Sequence, residues 1–402
     1  MEQAMTTSEK QLLGLIKAAL TGEGAPTGVD PAQILPLSEA HAVTPLLYDL
    51  LCPAAGDAPG TPVEEQIRRR TTGCIRQYYR LLFLTRYYVE LLGKAGVPTV
   101  VLKGAGVSAH YPVPEYRKSG DVDLLLLNRE DLGRAQAVLE GAGARREGEQ
   151  HANHHMAFVG PDGIELELHL TITEDFDDRQ ANQCMAGVAT TLEGHVVETQ
   201  ILPGVALPVL TDGYQAFTLL LHMLHHFLRS GFGLRLLCDW AVFWNRPVAG
   251  EELEGYLSLV RECGLEGFSR LITLTCVNYL GLGEGCAALL LAGGSPLSPE
   301  TCAAFLREVF DAQEFGKTSS DRMVTLRGGG IIGYIREFHH QMCLNYPRAG
   351  KVFLLWPILW MLTLIRFLYN NHAVRKTSLF SILRTTGHRS RFVKELRLFQ
   401  RD

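Results

Sequence analysis

The spacing of apolar residues predicts a chain that is helical at both ends, with strands in its centre. Apolar side chains recur every three or four residues, the period of an amphipathic helix, in six stretches outside the centre. These stretches are residues 11–20, 39–51, 62–93, 214–244, 251–282 and 299–310. Residues 53–62, rich in Ala, Gly and Pro, predict a loop between helices, and the glycine-rich range 316–333 predicts a mobile connection.

The central region instead contains short apolar runs and strict alternation, which predict strands. The predicted strands are residues 97–102, 121–127, 154–159 and 164–170. Gly160-Pro161-Asp162-Gly163 joins the last two, so these two strands are expected to form a hairpin. A helix is predicted over residues 129–141.

The change of period along the chain divides it into three predicted regions. Residues 1–95 form an N-terminal helical region, residues 96–202 form the core that contains the strands, and residues 203–402 form a C-terminal helical region. We expect the C-terminal helices to form a bundle that packs against the core.

Composition and charge narrow the choice of partners. The chain has 402 residues, of which 47% are hydrophobic, enough for two or three compact units. A net charge of −5 argues against a general nucleic-acid binder. From Arg366 onward, however, nine Lys and Arg residues face two acidic residues, a balance of +7. This basic tail is expected to contact an acidic surface, which is a phospholipid, an anionic partner or the body of the protein itself.

The cysteines and the N-terminus favour a cytoplasmic protein. The nine cysteines contain no Cys-x-x-Cys pair, and Cys238, Cys276 and Cys302 lie within apolar helical patterns. We interpret the cysteines as reduced core residues. Residues 1–22 contain acidic residues and a helical apolar period instead of a basic segment followed by an apolar block, so they predict a helix and not a signal peptide.

One apolar run leaves membrane contact open. Residues 352–365 are uncharged and include Pro357. The run is shorter than the roughly 20 residues that a spanning helix needs. It therefore predicts a core or interfacial helix, with peripheral membrane contact through the C-terminal tail as the alternative.

The main candidate for chemistry is an acidic pair at the start of a predicted strand. In a strand, Asp121 and Asp123 point to the same side, while Val122 and Leu124 point to the other. At a separation of about 6.6 Å, two carboxylates repel by roughly 2.5 kcal/mol at an effective dielectric near 20. A cation between them would relieve this repulsion, although an Asp-x-Asp alone also occurs in solvated acidic edges.

A third carboxylate completes the candidate site. Glu165, Glu167 and His169 share the polar face of the predicted hairpin. If the hairpin pairs beside the Asp121 strand, Glu167 can come within reach of Asp121 and Asp123. Three carboxylates form an all-oxygen site that suits Mg²⁺ better than zinc, and Mg²⁺ indicates phosphate chemistry.

Positive charge for a phosphate lies around the acidic pair. Lys103-Gly104 ends the first predicted strand, and the small residues after it can open a helix whose N–H groups attract an anion. Lys103 and Arg117 are therefore candidate triphosphate ligands. Ordinary surface charges are the alternative explanation for both.

These motifs, in their order and spacing, resemble a known family. The residues concerned are Lys103-Gly104, Tyr111-Pro112, Arg117, Gly120-Asp121-Val122-Asp123 and Glu167-Leu168-His169. They resemble the uncharacterised nucleotidyltransferase family of the DNA polymerase β-like superfamily. Residues 41–48, residues 234–240 and the apolar stretch around Pro357 are also similar to that family. One departure is Gly104-Ala105, where the superfamily commonly has Gly-Ser.

The resemblance implies an α+β fold, with a small mixed sheet and flanking helices. It also implies transfer of a nucleotidyl group from a nucleoside triphosphate, with Asp121, Asp123 and Glu167 as catalytic residues and ligands of two Mg²⁺ ions. Lys103, Gly104, Arg117 and Gly120 would then position the triphosphate. The acceptor hydroxyl belongs to a small molecule, a peptide or a protein, and the alternative function is a catalytically silent nucleotide-binding or partner-binding protein.

Several histidines allow more than one interpretation. His169 either orients a carboxylate or the acceptor, or has a structural role. The group of His151, His154 and His155 has no cysteine at ligand spacing, so one outward and one inward histidine are expected in that strand.

The helix over residues 214–229 carries His222 and His226 on one face, with His225 nearby. Because it lacks the Glu of a zinc-protease helix, a packed histidine face is expected instead of a zinc site. Arg235 and Asp239 either clamp a nucleotide or form an ion pair on a helix surface.

Overall fold

The computed structural model describes residues 5–52, 60–147, 154–176, 178–293, 297–314, 339, 342–343, 346, 352–369 and 396–400. The predicted connection over residues 316–333 and most of the basic tail lie outside these ranges, as do residues 53–59 of the predicted loop.

The described residues form one mixed sheet with helices on both faces. The strands are β1 Thr99–Val101, β2 Asp121–Leu126, β3 Arg145–Arg146, β4 His155–Val159, β5 Glu165–His169, β6 Val196–Leu202 and β7 Val205–Leu210. Their order across the sheet is β3-β4-β5-β2-β1-β7-β6. The pairs β2·β5 and β1·β7 are parallel, and the other neighbours are antiparallel. The predicted α+β fold is confirmed.

The α-helices before and within the sheet region are α1 Thr7–Thr21, α2 Pro31–Ala40, α3 Tyr48–Leu51, α4 Pro62–Lys94, α5 Ala105–Ser108, α6 Leu132–Gly141 and α7 Arg179–Ala189. Those after it are α8 Asp212–Arg229, α9 Leu234–Asn245, α10 Gly250–Glu262, α11 Glu266–Tyr279, α12 Glu284–Leu290, α13 Pro299–Ala312 and α14 Trp356–Tyr369. Short 3-10 helices cover Thr44–Leu47, Pro114–Tyr116, Arg129–Asp131, Leu192–His195 and Phe353–Leu355.

The long helix α4 follows directly from its sequence. Thr61 and Glu64 form a capping box at its start, and Pro62 occupies the first turn, where no N–H donor is needed. Its buried residues recur at helical spacing, and the buried apolar residues between Tyr78 and Leu92 pack against one face of the sheet. That face presents Val122, Leu124 and the apolar residues of β5.

The period of two along β2 sends alternate side chains into two separate cores. Val122, Leu124 and Leu126 pack with α4 and α6, whereas Leu125 belongs to the core that contains α8 to α11 and α13. The acidic residues of β2 share the face of Leu125. They therefore point towards the C-terminal helices and not towards α4.

Three sequence predictions about elements were wrong or incomplete. Residues 39–51 are not one helix: α2 ends at Ala40, Ala42 has φ +58°, and a 3-10 turn precedes α3. Pro45 in this turn lacks an N–H donor and disfavours α geometry at Thr44, which explains the interruption. The hairpin of β6 and β7 was not predicted, and β7 extends the sheet to Leu210. The apolar stretches 214–244 and 251–282 each form two helices, with breaks around Gly231 and Gly233 and around Gly264. The helix predicted over residues 214–229 is confirmed as α8.

The prediction that all cysteines are reduced was also wrong. Cys184 in α7 and Cys263 after α10 form a disulfide, with Cα atoms 5.7 Å apart. They are 79 residues apart in the chain, so no local pattern could reveal the pair. The other seven cysteines are free, and Cys238, Cys276 and Cys302 are buried as predicted.

None of the helices in the described part of the chain combines the length and apolar character needed to cross a membrane.

Candidate active site

The register of β2 against β5 brings the acidic motifs together. The two strands are parallel, with Asp123 opposite Glu167 and Leu125 opposite His169. Directly paired residues point to the same face of a sheet, so the two carboxylates and the imidazole converge. The predicted pairing of the hairpin beside the Asp121 strand is confirmed.

Asp123 lies at the centre of this convergence. Its Oδ1 atom is 2.9 Å from Lys103 Nζ and 2.9 Å from His169 Nε2. The same His169 nitrogen is 3.2 Å from Glu167 Oε2. One ligand atom each from Asp123, Glu167 and His169 lie within 4.8 Å of one another, the spacing of a metal-binding group. Asp121, the third predicted ligand, lies outside that group. It lines one cavity together with Glu167 and His169, and a second cavity together with Asp123.

We call Asp121, Asp123 and Glu167 the acidic cluster. The negative charge of Asp123, together with burial, raises the pKa of Asp121 to about 6. Burial acts to raise the pKa of Asp123 as well, but Lys103 and His169 hold it well below its usual range. The hydrogen bond from His169 lowers the pKa of Glu167, although burial opposes this effect. The negative charge of the acidic cluster therefore exceeds the single positive charge that Lys103 supplies.

This charge distribution fits a divalent cation. Carboxylate oxygens are the donors that Mg²⁺ prefers. The raised pKa of Asp121 means that the acidic cluster does not readily hold three negative charges by itself. His169 hydrogen-bonds to the carboxylates of Asp123 and Glu167 and so orients them. This agrees with one of the two interpretations that the sequence allowed for His169.

A cavity of about 240 Å³ beside the cluster is lined by three cationic side chains and four carboxylates. Three of these carboxylates are paired: Asp123 with Lys103, Asp239 with Arg117 and Glu314 with Lys118. We call this space the cationic cavity; Lys103, Arg117 and Arg235 supply its positive charge, and Gly104 and Ser119 also line it. The Arg235 Nε atom is buried and has no hydrogen-bond partner in the structure. Because Arg235 lines the cavity, an anion bound there could satisfy this donor.

Arg117 is held in place by a buried partner. Its Nε and Nη2 atoms donate to the two carboxylate oxygens of Asp239, at 2.7 Å and 2.9 Å, and the hydroxyl of Tyr111 donates to the same carboxylate. Only 4% of Arg117 and 2% of Asp239 is exposed. Within the described structure, the Nη1 atom of Arg117 is buried without a hydrogen bond. Of the two interpretations of Arg235 and Asp239, the surface ion pair is wrong, because Asp239 is buried and both of its oxygens accept from Arg117.

The two predicted glycines have different roles in the backbone. Gly104 has φ +58°, a conformation that strains residues with a Cβ, and it immediately precedes α5. A Cβ at Gly120, just before β2, would meet no atom within 4 Å. Gly104 is therefore required by the local backbone, whereas packing does not require Gly120.

A second cavity, of about 270 Å³, adjoins the cluster and is lined by six histidines. We call it the histidine cavity; its histidines are His154, His155, His169, His222, His225 and His226. It shares Lys103, Asp121, His222 and His226 with the cationic cavity, so the two spaces meet beside the cluster.

A comparison with known families agrees with this geometry. The model of a family described as uncharacterised nucleotidyltransferase matches residues 27–281, more than half of the chain. The chain belongs to this family. No curated protein matches the chain. The matched range contains every residue of the acidic cluster and of the two cavities except Glu314.

Membership of the uncharacterised nucleotidyltransferase family implies a nucleoside triphosphate as the donor and leaves the acceptor open. The sequence analysis did not identify all the residues that surround the acidic cluster. Ser119 and Glu174 lie in loops, where no periodic pattern draws attention to them.

The histidines gave a partial signal. The spacing of His222, His225 and His226 correctly indicated one helix face, but not that this face lines the site. In the described residues they belong to no group with metal-ligand spacing. The expectation of one inward and one outward histidine at positions 154 and 155 was wrong, because both line the histidine cavity.

Proposed function

We propose that the protein is a Mg²⁺-dependent nucleotidyltransferase that moves a nucleotidyl group from a nucleoside triphosphate to a hydroxyl acceptor. The observation that supports this most is the convergence of Asp123 and Glu167 on β2 and β5, next to the cationic cavity. Acidic ligands beside a cationic cavity are the arrangement that phosphoryl chemistry requires.

The acidic cluster would hold two Mg²⁺ ions. When bound, these ions neutralise triphosphate charge and favour attack by the acceptor oxygen. Asp121, Asp123 and Glu167 supply the oxygen ligands, and His169 keeps the carboxylates of Asp123 and Glu167 in position through its hydrogen bonds.

The cationic cavity would bind the triphosphate. Lys103 and Arg235 provide positive charge, and the unpaired Nη1 of Arg117 provides one further donor. The turn at Gly104 lets the backbone approach the phosphates closely. Gly120 would contribute only its backbone, and the open space around it leaves room for a phosphate.

The proposed transfer is a substitution at the α-phosphorus. The acceptor oxygen forms a bond to the α-phosphorus, the bond between the α-phosphorus and the bridging oxygen breaks, and pyrophosphate leaves. The acceptor gives up its hydroxyl proton. Asp121 and Glu167 also line the histidine cavity, so their carboxylates are placed to accept that proton.

A cytoplasmic location stays a prediction. Seven free cysteines and a nucleoside triphosphate substrate favour it. The disulfide of Cys184 and Cys263 opposes it, since disulfides are rare in reducing compartments.

The proposal is tested by incubating the protein with each labelled nucleoside triphosphate, Mg²⁺ and a cell extract, and following which molecule acquires label. Asp123→Asn should lower labelling at least ~100-fold, because charge stabilisation in the transition state is lost. Glu198→Gln, an exposed change on β6, is the control and should label normally. Undiminished labelling by Asp123→Asn would contradict the assignment, and nucleotide binding without pyrophosphate release would support the catalytically silent alternative.

A further inference from the structure

The histidine cavity has the charge and hydrogen-bonding character of an acceptor site. Burial and neighbouring positive charges lower the pKa of His154 and of His226 to about 4 and that of His225 to about 3. These imidazoles are neutral at physiological pH, so each has one N–H donor and one acceptor nitrogen. In His154 and His225 the donor lies against Glu174, and the acceptor stays available for a ligand. A hydroxyl group also donates and accepts, so neutral imidazoles match it well.

The positive charges at this cavity are already paired. Lys103 contacts Asp123, and Arg229 contacts the carboxylate of Glu174. Glu174 also lies 3.0 Å from His154 Nε2 and 3.5 Å from His225 Nε2. Arg229 lies beside the lining and compensates Glu174, so the remaining negative charge of the lining belongs to Asp121 and Glu167, which Mg²⁺ would compensate in the proposed function. With the metal bound, the lining favours neither an anionic nor a cationic ligand.

The volume of the histidine cavity limits the size of its ligand. A volume of about 270 Å³ is at the small end of ligand sites. The lining also includes Thr173, whose hydroxyl is buried without a partner in the structure, and Thr218. These groups suit a compact ligand with several hydroxyls.

We propose that the histidine cavity binds the acceptor, and that this acceptor is a neutral, polyhydroxylated small molecule such as a sugar or polyol. This inference rests on the proposed function and adds the class of the second substrate. Glu174 is a positioning residue in this assignment, because it holds His154 and His225 and neutralises Arg229.

The test measures pyrophosphate release from MgATP by the full chain, with glucose, mannose, myo-inositol, glucose 6-phosphate, glucosamine and a serine peptide as separate additions. At least one of the three neutral compounds should stimulate release about tenfold or more, and the charged compounds and the peptide should not. Stimulation by the charged compounds or the peptide alone, or by none of the six, overturns the inference. Binding of MgATP is measured separately by calorimetry, and its absence would count against the proposed function itself.

A Glu174→Gln variant separates specificity from simple loss of structure. It leaves the Arg229 guanidinium unpaired, so the rate with glucose 6-phosphate relative to that with the neutral compound should rise at least about fivefold. The affinity for MgATP should not change. Glu198→Gln serves as the matched control, and an unchanged preference in Glu174→Gln would overturn the role given to Glu174.

A separate observation concerns the surface around α14. Nine large apolar side chains are exposed there, from 38% for Leu355 to 82% for Leu354. They are Val352, Phe353, Leu354, Leu355, Ile358, Met361, Leu362, Leu364 and Ile365. We call them the apolar surface. All nine lie within residues 352–365, and exposed apolar side chains concentrated in this way on a folded protein indicate an interaction site.

The charge that follows the apolar surface indicates its partner. No charged residue lies between Lys351 and Arg366, and the sequence from Arg366 to the end has a balance of +7. Apolar residues beside a basic segment are typical of a segment that lies in the headgroup region of an anionic bilayer. The described part of α14 has 14 residues, fewer than the roughly 20 that a spanning helix needs.

We infer that the apolar surface docks the protein on an anionic lipid membrane. The full chain should sediment with vesicles of phosphatidylcholine and phosphatidylserine, and much less with phosphatidylcholine alone. Leu354→Asp should lower the bound fraction at least about tenfold. Leu289→Asp, at a residue that is 55% exposed on α12, is the matched control and should bind as the unaltered protein does.

Three results would overturn this inference. They are equal binding to both kinds of vesicle, no binding to either, and equal loss in the two aspartate variants. Self-association that Leu354→Asp abolishes, measured by light scattering without lipid, would instead assign the apolar surface to a second copy of the chain.

Discussion

The carboxyl group of Asp121 carries the least compensated charge of the site. Its pKa is raised to about 6, first by the charge of Asp123 and then by burial, whereas an unfolded Asp titrates near 3.8. The unfolded chain therefore releases this proton at lower pH than the folded protein does. Folding stability falls as pH rises from about 4 to about 6, and the full loss persists above pH 6.

We predict that Asp121→Asn stabilises the metal-free protein above pH 6. The gain should be roughly 2 kcal/mol, since a pKa raised from 3.8 to about 6 corresponds to somewhat more than that before solvent screening. Denaturation with urea in EDTA, at pH 4 and pH 8, measures it. The difference should nearly vanish at pH 4, and Mg²⁺ should reduce it at pH 8.

A control identifies the origin of this effect. Glu198→Gln removes an exposed carboxylate on β6 and should leave stability unchanged at both pH values. If Asp121→Asn gave the same gain at pH 4 as at pH 8, the repulsion between Asp121 and Asp123 could not be its cause.

At this scale the sequence predicts a residue well when its role depends on local alternation. Asp121 and Asp123 face one way because strands alternate, and Glu167 reaches them because β5 pairs with β2. The role of Glu174 and the pairing of Arg117 with Asp239 were not predicted. Arg117 and Asp239 are 122 residues apart, and only the folded chain brings them together.

Among the elements, the contact of Arg117 with Asp239 joins the segment before β2 to α9. Both side chains are almost fully buried, and both oxygens of Asp239 accept from the guanidinium. We predict that Asp239→Asn destabilises the protein by roughly 3–5 kcal/mol, because it leaves the charge of Arg117 buried without a counter-charge. Urea denaturation measures the change.

The double variant Arg117→Met with Asp239→Leu tests the reason for this loss. It removes both charges and should recover much of the stability, since an apolar pair avoids the cost of an unpaired buried charge. A double variant as unstable as the sum of its single changes would show that the charge pair is not the cause. Labelling activity should stay low in the double variant, because the Nη1 donor is gone.

The disulfide ties α7 to the end of α10. We predict that a Cys184→Ser and Cys263→Ser double variant is less stable by roughly 2–4 kcal/mol, because the link restricts a long loop in the unfolded chain. Thermal denaturation compares it with the Cys238→Ser variant. Thiol titration of denatured protein should count seven free cysteines before reduction and nine after it. A count of nine before reduction would contradict the link and favour the cytoplasmic prediction.

Elements with one strong period were the easiest to predict. The 33-residue helix α4 has its cap, its N-terminal proline and a continuous apolar stripe in sequence. The β6–β7 hairpin was missed because β6 is mostly exposed and has few apolar residues on its inward face. Pro45 could have signalled the break after α2, but the apolar spacing around it obscured the signal.

For the whole molecule, the position of the site explains why both halves of the chain are needed. The acidic cluster lies on the sheet, whereas Arg235, His222 and His226 come from α8 and α9. The division at residues 95 and 202 stays a proposal, and β7 continues the sheet beyond the second boundary. A nucleotide in the cationic cavity would contact the sheet and the C-terminal helices together.

We therefore predict that MgATP stabilises the molecule as one cooperative unit. At a free concentration one hundred times its Kd, the gain should be about 2.7 kcal/mol, because the ligand binds only the folded state. Scanning calorimetry should show the whole transition moving to higher temperature with MgATP, less with Mg²⁺ alone, and not at all with ATP in EDTA.

Arg235 provides the sharpest test of where the nucleotide binds. Arg235→Met removes the cation whose Nε is buried without a hydrogen-bond partner among the described residues, so it should reduce the MgATP-induced shift at the same ligand concentration. Arg134→Met is the matched control, since that arginine is exposed on α6, away from both cavities. Equal shifts in the two variants would place the triphosphate outside the cationic cavity, and a shift confined to part of the transition would mean that the sheet and the C-terminal helices unfold separately.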